Sequence, residues 1–335
     1  MSQTPVTGPR HGGLADLRMW AYGKLLMGGL ERFSRAMHRL PSNRPERHDV
    51  ELIRGVPYQD GGDPAHRLDI YRPRGASGPL PVALYVHGGG FKYFDRRTHW
   101  AMAMVLARAG FLVFNVDYRL APTHPFPAAV QDVASAWHWL AQNMEAWGGD
   151  RTRLLCAGES AGANLVLGLT IAACWSHEAP WARQVWQTGL RPQVLLPACG
   201  YLQVSQPERH AQERQIARWM RDRIHLVSDD WLPDHAAMRP ENAWADPLVL
   251  LEGAGPPERP LPATFAIVGD RDPVMGDTLR LGKALAHLGA VQQVQVYPGG
   301  IHAFHAFRIS ALARQAWHDQ MAFVGAHLPQ SRHED

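Results

Sequence analysis

Short apolar runs rich in β-branched and aromatic residues alternate with segments of helical periodicity along most of the chain. The β-like runs are VALYVH (82–87), FLVFNVDY (111–118), RLLCAG (153–158), QVLLPA (193–198), TFAIVG (264–269) and VQQVQVY (291–297). Apolar residues at helical spacing fall between them, near 99–109, 127–145, 161–175, 276–289 and 309–327. This alternation predicts an α/β fold, in which helices cover both faces of a mostly parallel sheet.

Two further apolar runs precede this alternation, VELIRGVPY (50–58) and HRLDIYRP (66–73). The segment between them, QDGGDPA, favours a turn because glycine, aspartate and proline each stabilise turn geometries. We therefore expect an antiparallel hairpin at the start of the sheet.

Two segments fit the alternation poorly: roughly the first 45 residues, and a charged helical segment with three tryptophans near 201–245. Together they are expected to form a cap over the ends of the strands. The predicted division is an N-terminal cap segment (1–48), a core in two parts (49–200 and 246–330) and a cap insertion (201–245).

The N-terminal cap segment has an amphipathic pattern of its own. Its apolar residues recur at helical spacing, namely Leu26, Leu30, Phe33, Met37 and Leu40. This spacing predicts an amphipathic helix packed on the body of the protein, and loose membrane contact or the lining of a lid is the alternative.

The composition permits a large core and argues against some partners. Of the 335 residues, 46% are hydrophobic and 19% are charged, which allows a sizeable buried core. Lys and Arg number 34 and Asp and Glu number 31. The resulting net charge of +3 gives no reason to expect nucleic acid or an acidic membrane as a partner.

The cysteines and the N-terminus bear on location. Cys156, Cys174 and Cys199 form no C-x-x-C pair and lie among apolar or small residues, so we expect reduced core residues in a reducing cytosol. The first 13 residues are polar, without the apolar segment of a signal peptide. The following stretch carries Arg18 and Lys24 and is too short and too charged to span a bilayer. A cytoplasmic protein without stable membrane insertion is therefore expected.

The most informative stretch is LLCAGESAGANL (154–165), which contains a G-x-S-x-G pattern around Ser160. A predicted strand leads into the pattern and a predicted helix leads out, and this context gives the pattern its meaning. The sharp turn exposes the serine side chain, while Gly158 and Gly162 avoid clashes there. Backbone N–H groups at the helix start also favour developing negative charge. Ser160 is therefore the predicted nucleophile.

A serine nucleophile needs a base, and the base needs an acid that orients it. In this architecture the partners follow in the order serine, acid, histidine, and the chain has that order. Asp270 and Asp272 both follow the run at 264–269. Asp272 is the expected acid, because a short turn at Pro273 can aim it at the histidine, whereas Asp270 is expected to brace the loop.

Two histidines follow the last β-like run. His302 comes directly after the Gly299-Gly300 turn and is the expected base, whereas His305 lies one helical turn further on. The two also form an H-x-x-H pair, but no third ligand is near in sequence, so no metal is expected.

Three glycines follow the run at 82–87, in the segment HGGGF (87–91). Ester hydrolysis passes through an oxyanion that needs fixed N–H donors, and the loop after the third strand supplies them in this architecture. The expected donors are the N–H groups of Gly88, Gly89 and Ala161. A phosphate-binding loop is not indicated, since no Ser or Thr follows Lys92.

With these residues the chain resembles the hormone-sensitive-lipase-like esterases of the α/β-hydrolase fold. The resemblance covers roughly residues 65–328 and rests on HGGGF (87–91), DYRLAPTHPFPAAVQD (117–132), GESAGANL (158–165), DRDPV (270–274) and IHAF (301–304). It implies an eight-stranded sheet with a helical cap, and hydrolysis of carboxylic esters, usually with short acyl chains. It also implies no metal and no organic cofactor, and it is compatible with a homodimer, since many members dimerise.

The resemblance assigns the same roles as the residue patterns do to Ser160, Asp272 and His302, and to the three N–H donors. It further implies a structural role, bracing the oxyanion loop and the end of a strand, for His87, Asp117, Tyr118 and Arg119.

The chain departs from the family at two positions near the expected site. Glu159 stands where the family usually has Asp or Thr, and Phe94 stands where glycine is common. We expect Phe94, with Lys92 and Tyr93 before it, to narrow or redirect one wall of the substrate pocket. The predicted pocket residues are Phe91, Tyr93, Phe94 and Glu159.

The predicted function is that of a serine carboxylesterase, acting on short- to medium-chain esters of small molecules through an acyl-enzyme. An amide hydrolase of the arylformamidase or deacetylase type would use the same three residues, but the DYRLAP motif weighs against it. A non-catalytic ligand receptor exists on the same fold, and the presence of His302 weighs against that alternative.

Overall fold

The computed structural model describes residues 21, 23–76, 78–233 and 240–330. Eight strands form one sheet: β1 Val50–Pro57, β2 Arg67–Pro73, β3 Leu80–Val86, β4 Leu112–Val116, β5 Gly149–Glu159, β6 Val194–Ala198, β7 Ala263–Gly269 and β8 Gln292–Tyr297. Each of the eight apolar runs in the sequence forms one of these strands. VALYVH belongs to the third, as the prediction for the oxyanion loop requires.

The strands lie in the order β1-β2-β4-β3-β5-β6-β7-β8. The predicted antiparallel hairpin is formed by β1 and β2, and β2 is also antiparallel to β4. All the other neighbouring strands are parallel. The α/β class, the mostly parallel sheet and the eight strands are thus confirmed.

Helices precede, connect and follow the strands. They are α1 Gly28–Arg39, α2 Trp100–Arg108, α3 Ala128–Asn143, α4 Ala161–Cys174, α5 Pro180–Gln187, α6 Arg209–Glu213, α7 Arg218–Trp231, α8 Pro247–Glu252, α9 Met275–His287 and α10 Ala311–His327. Helices α5 and α8 lie outside the segments predicted to be helical, and in α5 only Ala182 and Val185 are buried. Within the described ranges, none of these helices has the length and apolar character needed to cross a membrane.

Two apolar layers lie on the two faces of the sheet. Along β3, Val82, Leu84 and Val86 belong to one layer, while Ala83 and Tyr85 belong to the other, as strand alternation requires. Residues of α3, α4, α5 and α9 line the first layer, and residues of α2 and α10 line the second. Because β3, β5, β7 and β8 are parallel, the loops that follow them meet at one edge of the sheet.

Helix α1 packs on the body of the protein, as predicted, but most of its apolar positions do not take part. Four apolar residues, two in the helix and two beside its ends, remain exposed: Leu30, Phe33, Leu26 and Leu40. Two of the contacts with the body are made by Ser34, whose Oγ donates to the Thr98 carbonyl at 2.6 Å, and by His38, whose ring stacks on Trp100. A third is apolar, since the half-buried Met37 packs on the second apolar layer. The predicted helix packed on the body is therefore present, and of its five apolar positions Met37 packs on the core while the other four stay exposed.

The segment 201–245, called the insert below, contacts the loops after β3 and β7. It contains α6, α7 and the 3₁₀ turn Pro240–Ala245. Its residues 234–239 lie outside the described residues, as do residues 1–20 of the N-terminal segment. The boundaries of core and cap given above remain a prediction.

Candidate active site

Ser160 lies on a strained turn between β5 and α4. Its φ of 53° and ψ of −112° belong to a region that residues with side chains rarely adopt. The turn is tight because a Cβ on Gly162 would overlap the carbonyl oxygen of Val86, and a Cβ on Gly158 would overlap Gly162. The two glycines therefore let the elbow press against the end of β3, with Ser160 at the edge of the sheet.

Asp272 follows β7 and is completely buried. Its Oδ1 accepts a hydrogen bond from the Val274 N–H at 2.9 Å, which fixes the direction of the carboxylate. Asp270 lies at the surface, where its Oδ1 accepts from the Gly299 N–H at 2.7 Å. The two candidate acids thus have different surroundings, and Asp270 braces the loop that leads to His302.

His302 joins the serine to the buried acid. Its Nε2 lies 2.9 Å from Ser160 Oγ, and its Nδ1 lies 2.9 Å from Asp272 Oδ2. With Nδ1 protonated toward the carboxylate, Nε2 is free to accept the serine proton. His305, the other candidate base, instead lies with its Nε2 3.6 Å from a Glu159 oxygen.

The surroundings of His302 change its basicity. Burial disfavours the charged imidazolium, but the Asp272 carboxylate outweighs burial and raises the pKa of His302 above its ordinary value. The Glu159 carboxylate acts in the same direction, and Arg223 opposes it. The imidazole is therefore a stronger proton acceptor than a free histidine would be.

The glycine loop after β3 is closed on itself by a backbone contact. Gly89 has a φ of +116°, and a Cβ there would overlap the Tyr93 carbonyl oxygen. Gly88 packs on the elbow, where a Cβ would come within 2.7 Å of the Glu159 carbonyl oxygen. Among the described residues, the backbone hydrogen bonds outside helices and strands use none of the N–H groups of Gly88, Gly89 and Ala161.

Side chains behind this loop hold it in place. The His87 ring stacks on Tyr118, with centroids 4.3 Å apart, and the Tyr118 hydroxyl donates to the His87 carbonyl at 3.0 Å. The neighbouring strand end is held by two ion pairs, Asp117 with Arg96 and Arg119 with Asp132. These are contacts of the bracing kind that the resemblance implies.

The three aromatic residues after the glycines differ in position. Phe91 is fully buried and stacks on Trp231 of the insert, with ring centroids 3.6 Å apart. Tyr93 and Phe94 are half-buried, and the Phe94 ring lies 5.6 Å from the ring of His99. Phe91 therefore supports the loop from beneath, which differs from its predicted place in the pocket wall.

Glu159 is 5% exposed and lies beneath the glycine loop. Its carboxylate oxygens are 3.8 Å from His99 Nε2 and 3.6 Å from His305 Nε2. Burial alone would raise the pKa of Glu159, but His99, followed by His305 and His302, lowers it to about 2. The carboxylate is thus ionised and enclosed, which places it behind the site and not on an open wall.

Cys199 lies beside the acid and the base. Its thiol, an Asp272 oxygen and a His302 nitrogen are all within 4.8 Å of one another. These residue types can bind a metal, but both ring nitrogens of His302 already have partners. Burial also raises the pKa of Cys199 well above its ordinary value, which keeps the thiol protonated. The arrangement fits a packed thiol better than a metal centre.

Sequence reasoning missed two contributors to the site. His99 and its contact with Glu159 carry no motif, because the two residues come from different segments. Arg214 of the insert donates to backbone carbonyls of the acid loop, and an arginine among several in a charged segment gives no signal of this contact.

A serine, an imidazole and a carboxylate in hydrogen-bonded series, placed on loops at the carboxyl edge of a parallel sheet, define an α/β-hydrolase. The sequence family described as the alpha/beta hydrolase fold matches residues 83–306, which is more than half of the chain. The chain belongs to this family, and the resemblance drawn from the motifs is confirmed.

Several relatives are esterases by name. Carboxylesterase NlhH of Mycobacterium tuberculosis is 42% identical over 97 residues, which are 29% of this chain and 30% of that protein. Ethyl acetate hydrolase of Pseudomonas putida is 29% identical over 257 residues, which are 74% of this chain and 73% of that protein. The chain thus spans about a third of the length of NlhH and most of the length of ethyl acetate hydrolase.

A solved structure extends the comparison over nearly the whole chain. The hyperthermophilic esterase from the archaeon Pyrobaculum calidifontis is 27% identical and superposes with a TM-score of 0.68. The superposition covers 90% of this chain and 93% of that chain. The match therefore includes the hydrolase core together with most of the segments outside it.

Proposed function

We propose that the protein is a serine carboxylesterase that hydrolyses short- to medium-chain carboxylic esters through an acyl-enzyme. The observation that carries the proposal is the unbroken hydrogen-bonded series from Ser160 through His302 to Asp272. The esterase names of the relatives support the same reaction. A small ester molecule is the substrate, and this chemistry requires neither a metal nor an organic cofactor.

In the proposed first step, Ser160 Oγ attacks the ester carbonyl carbon while His302 Nε2 accepts the hydroxyl proton. Asp272 stabilises the imidazolium that forms and keeps the ring oriented. The imidazolium then gives its proton to the leaving alcohol as the ester C–O bond breaks, which leaves an acyl group on Ser160. The raised pKa of His302 favours the first of these proton transfers.

Water completes the cycle by the same route. His302 takes a proton from the water as the oxygen attacks the acyl carbon, and it returns the proton to Ser160 when the acid leaves. Both steps pass through an oxyanion, for which we assign the N–H groups of Gly88, Gly89 and Ala161 as donors. The closed conformation of the glycine loop and the tight elbow support this assignment, because fixed donors do not have to reorganise during the reaction.

The proposed acyl wall consists of Tyr93 and Phe94. Both side chains are half-buried on the segment that follows the donors, whereas Phe91 and Glu159 are enclosed. The name of ethyl acetate hydrolase supports a preference for short acyl groups. Since the three cysteines are buried and free, a reducing compartment such as the cytoplasm is proposed, and a homodimer remains an expectation from the family resemblance.

The proposal is tested with p-nitrophenyl esters from acetate to palmitate, hydrolysed by the wild type and by Ser160→Ala. We expect activity that is highest on short chains and falls by about 10⁴-fold or more in the variant. Anilides with the same acyl groups form a second series. No ester hydrolysis, or hydrolysis that survives the substitution, would refute the proposal, and faster turnover of the anilides would favour an amide hydrolase.

A further inference from the structure

One arginine of the insert reaches the loop that carries the acid. Arg214, between α6 and α7, donates from Nη1 to the Asp272 carbonyl and from Nη2 to the Asp270 carbonyl, each at 2.8 Å. A guanidinium can hold two carbonyls at once because its donors have a fixed fork geometry. The turn after β7 is therefore held from the insert at two backbone positions.

A second set of contacts fixes the helix that presents Arg214. Arg209 in α6 forms an ion pair with Asp277 in the first turn of α9. Asp277 is completely buried and also accepts from the N–H groups of Leu202, at 2.7 Å, and Gln203, at 3.2 Å. Helix α6 is thus docked on the start of α9, and Arg214 follows its last residue directly.

The carboxylate of Asp272 depends on the backbone that Arg214 holds. The side-chain carboxylate of Asp272 accepts a hydrogen bond from the Val274 N–H and contacts His302 Nδ1, both at 2.9 Å. The backbone carbonyl of the same residue accepts a hydrogen bond from Arg214. A rotation of the backbone at Asp272 would move both groups, so the contact with Arg214 opposes movement of the carboxylate away from His302.

We infer that Arg214 is a positioning residue that couples docking of the insert to the alignment of Asp272 with His302. The inference rests on the proposed roles of those two residues. Arg214 does not touch the reacting atoms. Its loss should therefore lower kcat more than it raises KM, since misalignment weakens binding of the transition state and leaves ground-state contacts in place.

The test compares Arg214→Gln and Arg214→Lys with Arg221→Gln, a control at an exposed arginine of α7. With p-nitrophenyl butyrate, we expect Arg214→Gln to lower kcat by about 10- to 100-fold and to change KM by less than about twofold, because small displacements of reacting groups are costly. Lysine can reach only one carbonyl, so that variant should lie in between. The control should match the wild type.

A second readout does not depend on turnover. The Nδ1 proton of His302 lies in the hydrogen bond to Asp272, and its NMR resonance should shift or broaden in folded Arg214→Gln. An unchanged kcat, or a resonance identical to that of the wild type, would overturn the inference. If the wild type hydrolyses no ester, the proposed function fails and the resonance alone decides the role of Arg214. If the Gln variant does not fold, the Lys variant provides both measurements.

Discussion

Two parts of the candidate active site are held together by different kinds of contact. At the elbow around Ser160, backbone packs on backbone, and Gly162 leaves no room for a Cβ against Val86. Where the insert meets the core, side chains make the contacts, as in the stack of Trp231 on Phe91. A backbone contact demands glycine at one position, whereas many pairs of side chains can fill the same interface. The nucleophile therefore lies on the part of the site that tolerates least change.

The largest effect should come from the acid. Asp272→Asn leaves the shape intact but removes the charge that orients and stabilises His302, so kcat should fall by about 10³- to 10⁴-fold. Asp270→Asn is the matched control, because Asp270 contacts the same loop from the surface. Its kcat should stay within about fivefold of the wild type, since surface substitutions usually change little. Equal losses in the two variants, measured with p-nitrophenyl butyrate, would refute the assignment of the acid.

The elbow should be the next most sensitive part. Gly162→Ala places a Cβ onto the carbonyl oxygens of Val86 and His87, so it should lower the free energy of unfolding by about 3 kcal/mol, as overpacking does. Gly168→Ala lies in the same helix, and its Cβ meets nothing within 4 Å.

This control should be neutral or stabilising by up to about 1 kcal/mol, because alanine is the better helix former. Urea unfolding of both variants decides the matter. A Gly162→Ala protein as stable as the wild type would mean that the elbow is not held by backbone packing.

A smaller effect is expected at the proposed acyl wall, which contains Phe94. Phe94 has a φ of 74°, so Phe94→Gly relieves backbone strain while it removes packing, and the free energy of unfolding should change by less than about 1 kcal/mol. The acyl preference should move toward longer chains by about tenfold or more in relative kcat/KM, because loss of the benzyl group frees room for several methylenes and a single methylene in a pocket is worth about tenfold or more. An unchanged acyl-chain profile in the ester series would exclude Phe94 from the pocket wall.

The smallest effect concerns pH. Neutral His302 is the active form, so kcat/KM should fall as the pH drops through its raised pKa. Glu159→Gln removes one of the negative charges that raise this pKa. The acidic limb of the curve of kcat/KM against pH should therefore move to lower pH. Glu145→Gln, at an exposed position, is the control and should leave the limb in place. A limb that does not move in Glu159→Gln would rule out this electrostatic influence.

The raised pKa of His302 affects folding stability in the direction opposite to its effect on activity. Because the pKa of His302 is raised in the folded protein, its proton contributes stability that is fully present below the unfolded-state pKa of about 6.5 and is lost as the pH rises through the folded value. Activity and this contribution to stability therefore change in opposite directions across one pH range.

The core could be predicted from the sequence because its signals are local. Each strand is a short apolar run, and Ser160, Asp272 and His302 follow strands whose ends must meet in a parallel sheet. The choice of Asp272 over Asp270 also had a local cause, the proline that follows it.

The rest depends on contacts between distant segments. Arg214 lies 58 residues before Asp272, and nothing near either position indicates that a guanidinium reaches the carbonyl. The stacking of Phe91 on Trp231 has the same origin, and so the phenylalanine was expected in the pocket and is found beneath the loop. Helix α1 packs on the body as predicted, but its apolar spacing gives no sign that Ser34 and His38 make contacts there.

The backbone strain at Ser160 has a practical consequence for crystallography. Alanine keeps the Cβ that makes a φ of 53° unfavourable, whereas glycine does not, so Ser160→Gly should be more stable than Ser160→Ala by about 1 kcal/mol. Neither variant has a nucleophile with which to cleave a substrate. The glycine variant is therefore the better vehicle for soaking an intact ester into crystals and seeing which side chains surround its acyl group.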